Sequence, residues 1–154
     1  VSGVTTELSK FAALAHHDYT TGFLRPETWW HWACIAGRLP DDRTLGLNVS
    51  CGTNESGYRE NSVWLDGKRF ALRGALFEFN HDEIESDWRI YGTERDFELV
   101  FSAGHGYHAN GASSKMSSDF HQLFGSFNGW VDIDSQRIDL KAQPGFTESQ
   151  YMLW

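Results

Sequence analysis

Glu148 is the carboxylate whose neighbours say most about its chemistry. On an extended strand it shares a face with Phe146, Met152 and Trp154, while Thr147 and Ser149 point the other way. A carboxyl group among apolar side chains keeps its proton to higher pH, and a protonated carboxyl is a general acid. The competing role is a buried clasp, hydrogen-bonded to backbone or to an arginine. Glu60 is the second catalytic candidate. Alternation groups it with Tyr58 and Trp64, and groups Asn61 with Val63 and Leu65, so without a bulge only Glu60 or Asn61 faces a cavity. Glu60 beside Glu148 would make a carboxylate pair able to move a proton to an alkene or a hydroxyl. Otherwise Glu60 is a strand-end partner of Arg59 or Arg69.

Four further side chains could hold a ligand. Asn48 and Gln122 are neutral amides that either orient a polar ligand group or satisfy backbone groups. His31, with an ordinary pKa near ~6.5, can act as a base, although a lone histidine in an aromatic strand is more often structural. Trp29 supplies an aromatic wall next to it.

Other chemistries lack their residues. His16-His17-Asp18 and the pair His105 and His108 are the histidine clusters; the second lies in a Gly-rich extended stretch where ligands at i and i+3 are not pre-organised, so no metal is expected. Gly125-Ser126-Phe127-Asn128-Gly129 is no nucleophile elbow, because the serine follows the glycine directly. No phosphate loop or dinucleotide fingerprint occurs, and no cofactor is expected. Thirteen Lys+Arg against 21 Asp+Glu give a formal charge of −8, which argues against a nucleic-acid partner. No apolar run approaches the ~18 residues of a membrane span.

The elements that must position these groups are mostly strands. A chain of 154 residues suits one domain. Leu8, Phe11, Ala12 and Ala15 recur at helical spacing, so residues 1–17 are expected to hold one short helix, capped by Thr5 or Thr6. After Gly22 the period becomes two. Leu45, Leu47, Val49 and Cys51 alternate with polar residues, as do Phe97, Leu99, Phe101 and Ala103, and Ile138, Leu140 and Ala142. Turn signals stand at Pro40-Asp41-Asp42, Asp66-Gly67, Asn80-His81-Asp82, Asn110-Gly111, Asp134-Ser135 and Pro144-Gly145. Many short strands in one small domain predict a closed antiparallel barrel, which protects its edges.

A first hairpin turning on Asp41-Asp42 sets Trp32 opposite Cys51, Cys34 opposite Val49 and Ile35 opposite Asn48. Trp30, Trp32, Cys34, Leu47 and Val49 then share an apolar face. Trp29, His31, Ile35, Asn48 and Ser50 share a mixed one that suits either a ligand cavity or an amphipathic outer surface. Cys34 and Cys51 fall on one face but out of line, ~7 Å apart, and are not expected to be joined. Two cysteines make no disulfide framework, and the start Val1-Ser2-Gly3-Val4 has no basic n-region, so a cytoplasmic location is expected. The sequons at Asn48 and Asn54 leave secretion open.

Five spaced motifs also carry a resemblance. They are Arg25-Pro26-Glu27-Thr28-Trp29-Trp30-His31-Trp32-Ala33, Gly46-Leu47-Asn48, Glu60-Asn61-Ser62-Val63-Trp64-Leu65-Asp66-Gly67, Gln122-Leu123-Phe124-Gly125-Ser126-Phe127-Asn128-Gly129 and Gly145-Phe146-Thr147-Glu148, with a terminal Trp154. In order and spacing, residues 18–154 resemble the C-terminal half of the family called domain of unknown function 2804. Tyr58-Arg59 before Glu60, and His31 itself, depart from that pattern. The resemblance implies a lipocalin-like antiparallel β-barrel of about eight strands behind one short N-terminal helix. Distantly, it is similar to lipocalin-like carotenoid hydratases and tocopherol cyclases.

Three functional readings follow. The leading one is a lipocalin-like module whose interior cavity binds a hydrophobic or amphipathic small molecule, with His31, Asn48, Asn61, Gln122 and Trp29 as ligand contacts. The second is a cofactor-independent hydratase, cyclase or isomerase on the same scaffold, using Glu148 as proton donor with Glu60 beside it. The third is a structural half-domain that docks a second barrel-like half or subunit. Fold resemblance alone does not choose among them.

Overall fold

The computed structural model describes residues 3, 5–11, 13–52, 60–113 and 116–154. The period of two becomes nine antiparallel strands: β1 (Glu27–Arg38), β2 (Thr44–Cys51), β3 (Ser62–Leu65), β4 (Lys68–Ala71), β5 (Ala75–Glu78), β6 (Trp88–Gly92), β7 (Phe97–Ala112), β8 (Ser117–Ile133) and β9 (Gln136–Leu153). They form one sheet in the order β4-β3-β2-β1-β9-β8-β7-β6-β5. The fold is all-β, with nine strands among the described residues where about eight were expected. Tyr58, Arg59 and the Asn54 sequon lie outside those residues.

The described residues do not form the expected helix. Among the described residues before β1, the only regular element is a 3-10 turn at Leu8–Phe11. A short isolated helix is marginal without a buried face, and here Leu8 and Leu14 are 65% and 61% exposed. Among the described residues no helix is long and apolar enough to cross a membrane.

The sheet curls round one core. Val49 and Val63 from its first half belong to the same buried cluster as Trp88, Phe97, Phe101 and Phe127 from its second. The edge strands β4 and β5 are joined by residues 72–74, and no ladder is formed between them. Instead Leu72 N donates to Asn61 O, and Thr93 N to Gly74 O. The curl is therefore not closed by strand pairing.

The first hairpin is one residue out from the expected register. Cys34 pairs with Asn48, Ile35 with Leu47 and Trp32 with Ser50. Its connection holds three residues rather than two: Leu39 N bonds Arg43 O across Pro40-Asp41-Asp42, and Asp42 takes the left-handed conformation at φ 66°. A one-residue shift exchanges faces. His31, Ala33 and Ile35 look toward the core with Leu47 and Val49, while Trp30, Trp32 and Cys34 look outward with Asn48 and Ser50. The two cysteines are not joined by a disulfide, as expected, but stand on opposite faces rather than on one.

Two expected turns lie inside strands. Asn110-Gly111 belongs to β7 and Pro144-Gly145 to β9. Pro144 follows an irregularity in the β8–β9 ladder, where a missing donor costs little. Gly145 pairs with Gly125 on β8. A Cβ at Gly145 would meet the Cys34 carbonyl and approach the Phe127 ring to 2.7 Å; one at Gly125 would meet the Ser102 carbonyl and approach the Phe101 ring to 2.9 Å. The glycine pair thus lets core rings lie against bare backbone. Gly145→Ala is expected to cost about 1–3 kcal/mol in urea denaturation, the usual penalty for overpacking. An unchanged midpoint would show that this contact is loose.

Candidate functional site

Two rows of side chains cross the outward face of β1, β9 and β8. Trp32, Glu148 and Gln122 form one, and Cys34, Phe146 and Phe124 the other, because each set pairs in register across the two ladders. Their sequence neighbours Ala33, Thr147 and Leu123 are buried on the other face. Residues Leu14, Ala15, His16 and Asp18 lie beside these rows and complete the lining of an open pocket of about 840 Å³. Aromatic rings wall it: Trp32 and Phe146 meet edge-on at 5.1 Å, and the His16 ring sits 5.0 Å from Trp32 and 5.7 Å from Phe146.

Glu148 is the polar centre of this pocket and is only 7% exposed. Its Oε1 accepts a hydrogen bond from Gln122 Nε2 at 2.6 Å, and its Oε2 accepts one from Trp30 Nε1 at 3.4 Å. Both donors are neutral. Burial pushes the carboxyl pKa up, the two hydrogen bonds pull it back in part, and the charge of Asp18 pushes it further up. The net direction is upward, which is the property expected of a proton donor.

Cys34 touches His16, Sγ to Nδ1 at 3.1 Å. A nucleophilic cysteine needs a thiolate. Burial, followed by the nearby Glu148 carboxylate, pushes the Cys34 thiol up to about 12, so Cys34 stays a thiol at neutral pH. Cys34 is a wall of the pocket, not its nucleophile.

The other candidates are distributed over the sheet. Asn48 accepts a hydrogen bond from Trp32 Nε1 at 2.7 Å and thereby fixes the indole that walls the pocket. It lines a neighbouring pocket of about 580 Å³ together with Glu60, Trp64 and Arg69. Glu60 therefore does not pair with Glu148: two strands separate β3 from β9 in the sheet, and Glu60 accepts a hydrogen bond from the Ser50 hydroxyl at 2.7 Å. Arg69 donates to Ser62 instead.

Asn61 is a clasp. It accepts from Ser50 N at 2.8 Å and donates to Ser50 O and Arg73 O, tying β2 to the connection after β4. His31 and Trp29 face the core side, the His31 ring standing 5.0 Å from Phe79 and 6.3 Å from Trp88. Neither reaches Glu148.

Of the seven candidates, then, Glu148 and Gln122 meet directly, and Asn48 acts on the same pocket through Trp32. Trp30, Trp32, Cys34 and His16 went unrecognised. The first three become visible once the hairpin is given three turn residues; His16 precedes the strands and carries no periodic signal.

A family model described as Domain of unknown function (DUF2804) matches residues 1–154, and the chain belongs to that family. No curated protein and no solved structure matches it.

A carboxyl whose folded pKa lies above its unfolded value supports the fold fully below the unfolded pKa, and that support is lost as pH rises through the folded pKa. Relative to Glu148→Gln, which has no charge to bury, the wild-type chain should therefore lose denaturation midpoint as pH rises above the ordinary carboxylate range. Parallel profiles for the two proteins would show that Glu148 is not desolvated.

Proposed function

We propose that this member of the DUF2804 family is a binding module for an amphipathic small molecule, seated on the outward face of β1, β9 and β8. The observation that carries this reading is a buried carboxyl held by neutral donors at the centre of an aromatic-walled pocket. An ionised group there is costly unless it is hydrogen-bonded. Two donors leave acceptor capacity on both oxygens, which a ligand hydroxyl or amine would fill. Trp32, Phe146 and Phe124 would take the apolar body, as pocket walls commonly do. The resemblance to lipocalin-like proteins supports the ligand class; the pocket argued for here lies outside the core instead of within it.

The upward shift of Glu148 favours a second reading, in which the bound molecule is also turned over by a hydratase, cyclase or isomerase step. Glu148 would then protonate an alkene or a leaving hydroxyl. Glu148→Gln would keep the shape and abolish the transferable proton, lowering turnover by roughly 10²–10⁴.

The binding reading is tested with N-phenyl-1-naphthylamine, a neutral fluorescent amphipath. Binding should quench Trp30 and Trp32 emission and raise probe emission. Trp32→Ala should weaken it about tenfold, the effect of truncating an aromatic anchor in a desolvated pocket. Glu148→Gln should change affinity by much less. Equal probe affinity in wild type and Trp32→Ala would overturn the assignment. Mass spectrometry of a co-purifying molecule, followed by its conversion in wild type but not in Glu148→Gln, would establish the second reading.

A further inference from the structure

The neighbouring pocket of about 580 Å³ lies on the outward face of β1 to β4. A cross-strand row runs through it: Ala36 on β1 pairs with Gly46 on β2, Gly46 with Trp64 on β3, and Trp64 with Arg69 on β4. Gly46 is the gap in that row. A Cβ there would stand 3.7 Å from the Trp64 side chain and 3.9 Å from the Ile35 carbonyl, which are ordinary contacts, and the Gly46 backbone is not left-handed. Glycine weakens a strand interior. Gly125 and Gly145 are required by close packing, but neither packing nor backbone asks for glycine at position 46. What the bare position does is leave space in the pocket.

Two opposite charges line this pocket without meeting. Glu60 Oε1 accepts a hydrogen bond from the Ser50 hydroxyl at 2.7 Å, and Arg69 Nε donates one to the Ser62 hydroxyl at 2.7 Å. Both serines are buried. Ser62 pairs with Asn48, so Ser50 is its diagonal neighbour, about 7 Å away. Hydroxyl tethers on that diagonal hold the carboxylate and the guanidinium apart. Among the described residues no ion pair joins Glu60 to Arg69, whereas Arg43, Arg89 and Arg137 are each paired with a carboxylate. The tethers occupy one Glu60 oxygen and the Arg69 Nε, and leave the other oxygen and the terminal fork of the guanidinium to the pocket. Asp18 adds a second carboxylate to the lining.

We propose that this pocket binds a zwitterion whose two charges are held apart by an alkyl spacer. Its carboxylate lies on the Arg69 fork, a geometry suited to two parallel hydrogen bonds, its ammonium lies at Glu60, and its spacer runs beside Trp64. A separation of about 7 Å corresponds to about five methylenes, at about 1.25 Å of extended chain per bond. A bare anion would meet Glu60 and Asp18, and a bare cation would meet Arg69, so the pocket favours a molecule carrying both charges. The site shares His16, Asp18 and Cys34 with the Glu148 pocket, but Glu60, Arg69 and Gly46 do not line that one. The inference does not rest on the proposal made there.

6-Aminohexanoate is the probe, titrated into the full chain while side-chain proton–nitrogen spectra follow Arg69 Nε and Trp64 Nε1. It should bind with an affinity on the order of 1 mM, as suits so small a ligand at a partly open site, and should move both signals. Hexanoate and hexylamine each lack one charge, and free glycine holds its charges too close together; each should bind about tenfold more weakly. Arg69→Gln keeps a donor for Ser62 and should reduce 6-aminohexanoate to the affinity of hexylamine. Glu60→Gln keeps an acceptor for Ser50 and should reduce it to that of hexanoate. Gly46→Val narrows the pocket with a residue that favours strands, and should weaken the probe about tenfold without lowering the denaturation midpoint. Binding of N-phenyl-1-naphthylamine should be unaltered in Arg69→Gln, which separates failure here from failure at Glu148. Three results would each overturn the proposal: equal affinities for 6-aminohexanoate, hexanoate and hexylamine, unchanged probe affinity in Arg69→Gln, or undiminished binding in Gly46→Val.

Discussion

The ladder of β1, β9 and β8 packs a core row on one face and carries the pocket rows on the other, and most of the molecule is arranged around that constraint. Side chains alternate, so each strand must supply Ala33, Thr147 and Leu123 to the core and, one step away, Trp32, Glu148 and Gln122 to the outer pocket. A one-residue slip would drive Glu148 into the apolar cluster and expel Thr147 and its neighbours. Register here is consequently set by the core row on one face and by the pocket row on the other. The glycine pair at Gly125 and Gly145 serves the same end, since it brings the Phe101 and Phe127 rings against the backbone just beyond the pocket rows.

Glu148 shows how the outer face accommodates a polar group. Its surroundings are aromatic, and the donors that reach it, Gln122 and Trp30, carry no charge. A cation would have held the carboxylate ionised and drawn its pKa down; indole and amide donors leave desolvation as the larger influence. His31 presents the mirror case on the other face, where burial keeps an imidazole neutral. On both faces of the ladder burial thus shifts an ionisable group toward its uncharged form, the same physical cause acting on opposite kinds of acid.

The fold class was largely legible. Period-two runs at Leu45–Cys51, Phe97–Ala103 and Ile138–Leu140 marked β2, β7 and β9, and the Glu148–Phe146 face was read from alternation alone. What failed was local. Pro144-Gly145 has the composition of a turn, yet the core needs a glycine inside a strand there. Asp41-Asp42 does not announce that Pro40 joins the connection, and that one residue sent His31 and Trp32 to the wrong faces. The N-terminal pattern of Leu8, Phe11 and Ala15 is helical in period, but Leu8 and Ala15 stand exposed. Pairs such as Trp32 with Asn48, or Glu60 with Ser50, depend on tertiary placement that a linear pattern does not carry.

The strand order has a consequence for how the chain reaches this structure. Walking across the sheet, every neighbouring pair but one is joined by a short connection; the exception is β1 with β9, which lie at opposite ends of the described chain. The strands therefore divide into two meanders, β1–β4 and β5–β9, each able to grow hairpin by hairpin from local contacts. Uniting them requires closing nearly the whole polypeptide into a loop before the β1–β9 bonds return any free energy. That closure is the natural kinetic bottleneck. The outer face described above straddles the resulting seam, so the pocket around Glu148 does not exist until β1 and β9 have paired.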